Sequence, residues 1–223
     1  MGFKKNNSEE IKSRRVEREK QEEEFMELWR QTTCFTGHRP SKLGNCYSLK
    51  HPTSLLINEK LTPIILDLIN NEHVTRFISG GAIGVDTIAF WTVQKIKKDY
   101  PNIKNIVAKP FVHQDAVWTN QETLFWYHKM LEVADEVINV EDVSGYNTNE
   151  SNIEYGNFSN KKMQQRNEYM INNSRCIIAV WDGTKGGTGN CVSYAHRQMH
   201  SPESRTLYRL NPKYDFELEI SYC

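Results

Sequence analysis

One run of the sequence constrains the fold more than any other segment: residues 176–181 (CIIAVW) are almost continuously apolar. A short run without alternating polar residues is typical of a strand whose two faces are both covered. Such strands occur in the middle of parallel sheets that carry helices on both faces. We therefore expect residues 176–181 to form a central strand of a parallel sheet.

Short apolar runs alternate with amphipathic stretches along the rest of the chain. The sequence predicts further strands at residues 33–36, 74–79, 105–108, 136–140 and 206–210. It predicts helices at residues 55–70, 85–98, 115–131 and 161–172, and another from about residue 192. This alternation predicts an α/β fold with a single doubly wound, mostly parallel sheet. Residues 143–160, rich in Asn, Ser, Gly and Tyr, are expected to form a long loop, as a lid or as a partly disordered segment.

Charge is balanced in each part of the chain. The whole sequence has 28 basic and 28 acidic residues, and residues 1–30 hold eight of each sign, which leaves 20 of each in the remainder. We therefore predict a charged extension over residues 1–30, helical or partly disordered, and one domain over residues 31–223. For the extension, a solvated helical tail is favoured, and a helix that binds a protein partner is the alternative. A domain without basic excess is not expected to coat nucleic acid.

Several other classes of protein are not expected. No apolar run approaches the roughly 20 residues that cross a bilayer, and the charged N-terminus has no signal-peptide core, so we expect a cytoplasmic protein without membrane contact. The five cysteines are scattered without a CxxC pair, and the seven histidines form no cluster. The sequence therefore predicts free thiols and no metal site.

The loops that follow the predicted strands are the candidate binding sites, because ligands of open parallel sheets bind beyond the carboxyl ends of the strands. The loop after the first strand offers Gly37, His38 and Arg39, which suit an anion, although a merely solvated turn is the alternative. The second loop, residues 79–86 (SGGAIGVD), leads into a helix. Its candidates are Ser79, Gly80, Gly81, Gly84 and Asp86.

A second glycine-rich loop follows the central strand, with four glycines in the seven residues 183–189. Its candidates are Asp182, Gly186, Gly187 and Thr188. Glycines before a helix let backbone N–H groups approach a phosphate. Neither loop matches a GxGxxG or Walker A motif, so we expect a nucleotide-like ligand without a dinucleotide fingerprint or a phosphoryl-transfer loop.

Further candidates lie outside the glycine loops. Arg39, Lys42, Arg166 and Lys185 are candidate cations for an anionic ligand. Among them, the planar guanidinium of Arg166 suits a phosphate or carboxylate, with a surface ion pair as the alternative. Trp118 fits a base pocket and a core position equally well.

Four segments together resemble a known family: residues 34–44 (CFTGHRPSKLG), 77–90 (FISGGAIGVDTIAF), 109–118 (KPFVHQDAVW) and 166–195. They are similar to the YpsA-like branch of the SLOG superfamily. The resemblance implies a Rossmann-like fold and a nucleotide or nucleotide-derived ligand, such as an ADP-ribose-like signal, with no required cofactor. It also suggests a homo-oligomer by analogy. The family's site motifs correspond here to Gly80, Gly81, Gly84, Asp86, Arg166, Gly186, Gly187 and Thr188.

One departure from related sequences bears on catalysis. The LOG phosphoribohydrolases, which are related to this superfamily, have a glutamate in a GGxGTxxE pattern, and Cys191 stands at that position here. A neutral thiol does not replace a carboxylate that stabilises an oxocarbenium ion. The resemblance therefore favours a protein that senses or sequesters its ligand over an enzyme. The alternatives are a LOG-like N-glycosidase and, less favoured by the neutral charge, a DprA-like role with single-stranded DNA.

Overall fold

A computed structural model describes residues 3–147, 154–198 and 204–222, with side chains from residue 10 onward. Its strands are β1 (Thr32–Gly37), β2 (Arg76–Ser79), β3 (Lys104–Lys109), β4 (Glu136–Asn139), β5 (Cys176–Val180), β6 (Thr206–Asn211) and β7 (Glu217–Tyr222). Its α-helices are α1 (Phe3–Arg30), α2 (Pro52–Asn70), α3 (Val85–Ile96), α4 (Gln121–Val133), α5 (Asn160–Asn172) and α6 (Gly187–Arg197).

The strands form one sheet in the order β4-β3-β2-β1-β5-β6-β7. Neighbouring strands from β4 to β6 are parallel, and β7 pairs with β6 in the antiparallel direction. The mostly parallel α/β fold expected from the sequence is thereby confirmed. The chain builds outward from β1 to β4 and then returns to place β5 on the other side of β1. This reversal makes the carboxyl ends of β1 and β5 the switch point where such sheets bind ligands.

Strand β5 lies inside the sheet as its composition predicts. Ile178 and Val180 pack into a cluster with α2 and α3, whereas Ile177 and Ala179 pack into a second cluster with α5 and α6. All four side chains are fully buried. Successive residues of a strand point to opposite faces, so a strand between two helical layers must be apolar at every position.

The structure differs from the sequence prediction at several boundaries. Helix α6 begins at Gly187, five residues before the predicted start, so Gly187 and Thr188 lie in its first turn and not in the preceding loop. Helix α4 begins at Gln121 and not at residue 115, because the side chain of Asn120 accepts a hydrogen bond from the Thr123 N–H and caps the helix there. Pro63 lies within α2 without ending it.

Strand β7 was not predicted. Its sequence alternates apolar residues (Leu218, Ile220, Tyr222) with polar ones, and its side chains are largely exposed at the edge of the sheet. The predicted loop over residues 143–160 falls partly outside the described residues, at 148–153.

Helix α1 is a charged helix of 28 residues that meets the domain at its C-terminal end. Trp29 is only 2% exposed and lies 5.3 Å from the Arg205 guanidinium. Phe25 and Leu28, by contrast, stay about half exposed. Trp29 therefore holds the C-terminal end of α1 against the domain, while most of the helix faces solvent. No helix in the described part of the chain has the length and apolar character needed to cross a membrane.

Candidate functional site

A cavity of about 770 Å³ opens at the switch point between β1 and β5. Its walls come from the loops after these strands, the first turn of α3, and one face each of α5 and α6. Among the described lining residues, the cations are Arg39, Lys42, Arg166, Lys185 and Arg197, and the only acidic side chain is Asp86. This excess of positive charge favours an anionic ligand.

The N-terminus of α6 faces this cavity. Its cap residue Gly186 has φ +142° and makes no side-chain capping hydrogen bond. The first helical hydrogen bond runs from the Asn190 N–H to the Gly186 carbonyl, at 2.8 Å. The N–H groups of Gly187, Thr188 and Gly189 precede that bond and carry the positive end of the helix dipole. An added Cβ on Gly187 would meet nothing within 4 Å, so the backbone here is open to a ligand.

Arg166 is a buried cation beside the cavity. The residue is 5% exposed, and its Nη1 donates to Asp86 Oδ2 at 3.3 Å. Its Nε is buried and has no hydrogen-bond partner within the described structure. Gly80 makes room for this side chain, because a Cβ at that position would lie 1.2 Å from Arg166 Nη1. The guanidinium is thus fixed with unused donor capacity.

The N-terminus of α3 differs from that of α6 because it carries its own carboxylate. Asp86 lies in the first turn of α3, is 6% exposed, and accepts a hydrogen bond from the Ala82 N–H at 3.2 Å. This carboxylate already offsets the helix dipole. Of the two glycine-rich loops, the one before α6 therefore offers the open anion site.

The other glycines near β1 and α3 serve packing. A Cβ on Gly37 would lie 2.5 Å from Val85 Cβ, and one on Gly84, which has φ +103°, would lie 2.7 Å from the His38 carbonyl oxygen. These two glycines let α3 approach the end of β1. Gly37 also lines the cavity, whereas Gly84 does not.

His38 and Asp182 connect the loops after β1 and β5. His38 Nε2 lies 2.7 Å from Asp182 Oδ1, which also accepts hydrogen bonds from the Thr184 N–H and hydroxyl. Burial raises the pKa of Asp182, but the bonds from Thr184 and His38 outweigh it and hold that pKa well below its usual range. Burial lowers the pKa of His38 against the opposing effect of Asp182. Asp182 thus shapes its own loop, while His38 lines the cavity.

The structure brings together most, but not all, of the predicted residues. Those lining the cavity are Gly37, His38, Arg39, Asp86, Arg166, Gly186, Gly187 and Thr188. Those outside the lining are Ser79, Gly80, Gly81, Gly84, Trp118 and Asp182. Trp118 packs against Tyr127 with ring centroids 4.8 Å apart, in a separate aromatic cluster, so it takes the core alternative.

Sequence reasoning missed a wall of the cavity. Phe158 before α5, Met163 and Asn167 on α5, and Ser193 and Arg197 on α6 all line it. The signal was present in α5, where residues 163, 166, 167 and 170 recur at helical spacing. Lys42 also has a second role, because its Nζ donates to Thr184 Oγ1 at 2.7 Å and so joins the two loops.

Cys191 is an inert group in this setting. It is 1% exposed on the buried side of α6. Burial raises the pKa of its thiol to about 11, although the Thr36 hydroxyl acts in the opposite direction. The side chain is therefore neutral near pH 7. Within the described ranges, no group of three or more His, Cys, Asp or Glu side chains is arranged to hold a metal ion.

Comparison with known proteins covers nearly the whole domain. The family model described as the YspA SLOG family matches residues 33–213. The SPbeta prophage-derived protein YoqJ of Bacillus subtilis is 48% identical over 174 residues, which span 78% of this chain and 98% of YoqJ. A UPF0398 protein of Brevibacillus brevis is 25% identical over 82% of this chain and 88% of its own length. Another UPF0398 protein, from Halalkalibacterium halodurans, is 28% identical over 79% of this chain and 86% of its own length.

Proposed function

Because this chain belongs to the YspA SLOG family, we propose that it binds a nucleotide or nucleotide-derived small ligand in the cavity between β1 and β5. One observation carries the proposal: the buried Arg166, with its unpartnered Nε, stands beside the same cavity as the uncapped N-terminus of α6. A buried donor without a partner is costly. A phosphate in this cavity would accept hydrogen bonds from the helix N–H groups, and the positive charge of the nearby guanidinium would stabilise it.

The size and charge of the cavity support the same ligand class. A volume of about 770 Å³ lies within the range of small-molecule sites, roughly 300–1,000 Å³. Its cations are grouped in one concave place, while the chain as a whole has no net charge. This distribution suits a small anion better than a polyanion, since coating a nucleic acid needs an extended basic surface.

We further propose that the bound ligand is sensed or sequestered and not hydrolysed. The position of the LOG glutamate is held by Cys191, whose thiol is buried and neutral. Near pH 7 this group carries no negative charge, so it can neither stabilise an oxocarbenium ion nor act as a general base. An ADP-ribose-like signal fits a site that binds phosphate without this carboxylate.

Calorimetry with the purified protein tests the proposal. AMP, ADP, ATP and ADP-ribose would be titrated into the wild type, Arg166→Gln and Arg76→Gln. Arg76 is a matched control because its guanidinium pairs with Glu136 at the far end of β2, away from the cavity. We expect Arg166→Gln to weaken the tightest nucleotide at least tenfold, as a charged hydrogen bond contributes roughly 1.5–3 kcal/mol, and Arg76→Gln to change little.

Three results would contradict this function. Absence of binding across the four nucleotides, together with no nucleotide released when the purified protein is denatured, would remove the binding role. Release of free base from nucleoside monophosphates, followed by chromatography, would instead favour the N-glycosidase. A salt-dependent mobility shift with single-stranded DNA would favour the DprA-like role.

A further inference from the structure

One wall of the cavity carries an exposed aromatic side chain. Phe158, directly before α5, is 63% exposed and lines the cavity. A single exposed phenylalanine is ordinary on a protein surface. Phe158 differs because the backbone on both sides of it is tied down by buried groups.

The ring of Phe158 rests on a buried neighbour. Its centroid lies 6.0 Å from that of Phe111, with the two rings nearly perpendicular at 89°. Phe111 is itself only 2% exposed and lies under Lys162, whose Nζ is 5.9 Å from the ring centroid. On the helix side, the Ser159 hydroxyl accepts a hydrogen bond from the Lys161 N–H at 3.1 Å and caps α5.

A buried ion pair anchors the segment that carries Phe158. Lys162 Nζ lies 2.8 Å from Glu141 Oε2, and their side chains are 4% and 3% exposed. Lys162 also donates to the carbonyl oxygens of Glu154 and Asn157, at 2.8 and 3.2 Å. Glu141 accepts from the Gly156 N–H at 3.0 Å. The backbone before Phe158 is thus bound to buried charges, and the exposed ring is presented from a fixed support.

We propose that Phe158 is a stacking platform for the planar base of the ligand. This inference rests on the proposed nucleotide function and deepens it. The phosphate would occupy the α6 N-terminus and Arg166, and the base would lie on the Phe158 side of the same cavity. Met163 on α5 lines the same cavity and would supply a further apolar contact.

The neighbouring amides suit the polar edge of a base or ribose. Gln164 and Asn167 line the cavity from α5, and both are partly exposed. An amide side chain offers a donor and an acceptor together, as a base edge requires. The cavity is therefore assigned one end that binds an anion and one end that binds a planar ring. The protein should bind nucleotides more tightly than sugar phosphates that lack a base.

The test compares ligands with and without a base. Wild type, Phe158→Ala and Phe158→Tyr would be titrated with the tightest binder among AMP, ADP and ADP-ribose, and with ribose 5-phosphate and pyrophosphate. Phe125→Ala is the matched control, since Phe125 is 57% exposed on α4, outside the cavity lining. Stacking on an aromatic side chain contributes enough to change affinity roughly 5- to 150-fold.

We expect Phe158→Ala to weaken the nucleotide at least fivefold and the two base-free ligands less than twofold. Phe158→Tyr should keep the wild-type affinity, and Phe125→Ala should change none of the three. Equal loss for nucleotide and base-free ligands, or no loss for either, would overturn the stacking role while leaving nucleotide binding intact. If the wild type binds no nucleotide at all, the proposed function itself fails.

Discussion

A single added carboxylate at Gly187 should weaken ligand binding strongly without harming the fold. Gly187 is the first residue of α6, and a Cβ there would enter open space in the cavity. Gly187→Asp therefore places a negative charge where the phosphate is proposed to sit. Gly187→Ala adds the same Cβ without the charge and serves as its control.

The magnitude follows from the separation of the charges. A carboxylate about 5 Å from a phosphate, at an effective dielectric constant near 20, is repelled by about 3 kcal/mol. That energy corresponds to roughly a hundredfold loss of affinity. The stability of the folded state should increase instead. Replacing a helical glycine contributes about 0.5–1 kcal/mol to the free energy of unfolding, and an acidic residue at a helix N-terminus contributes about 0.3–1 kcal/mol.

Calorimetry and thermal unfolding together check this expectation. Without ligand, both Gly187 variants should unfold at or a few degrees above the wild-type temperature. With the tightest nucleotide, Gly187→Ala should remain near the wild type, and Gly187→Asp should lose about two orders of magnitude in affinity. A Gly187→Asp protein that binds the nucleotide within threefold of Gly187→Ala would refute the placement of the anion at α6.

Further predictions concern stability and reactivity. Lys162→Met should lower the free energy of unfolding in urea by about 3–5 kcal/mol, because it leaves the Glu141 charge buried and unpaired. Lys129→Met breaks an exposed ion pair and should lower it by under about 1 kcal/mol. Similar losses in the two variants would contradict the anchoring role of Lys162. Burial lowers the pKa of His38, so the neutral imidazole should contribute fully to stability above about pH 6.5, and this contribution should be lost as the pH falls below that value. An NMR titration of His38 with a midpoint at or above about 6.5 would disprove the lowered pKa. Cys191 should resist iodoacetamide at pH 8 until the protein unfolds, as peptide mass spectrometry would show.

The site was only partly readable from the sequence. The candidate cations and the glycine-rich loop before α6 could be predicted because each is recognisable within a short segment of unusual composition. Pairing of Arg166 with Asp86, 80 residues away in the sequence, requires the folded chain. The same holds for Phe158, since nothing in its neighbouring residues indicates that a buried Lys162–Glu141 pair supports it.

The sequence by itself determined the mostly parallel α/β architecture and the type of every strand and helix from β1 to β6. An unbroken apolar run such as 176–181 can be stable only between two covered faces, so it specifies a central strand wherever the other strands lie. Tertiary structure alone decided the strand order, the start of α6 at Gly187, and the antiparallel pairing of β7 with β6 at the sheet edge. These features depend on contacts between distant segments, and local composition carries no information about which segments meet.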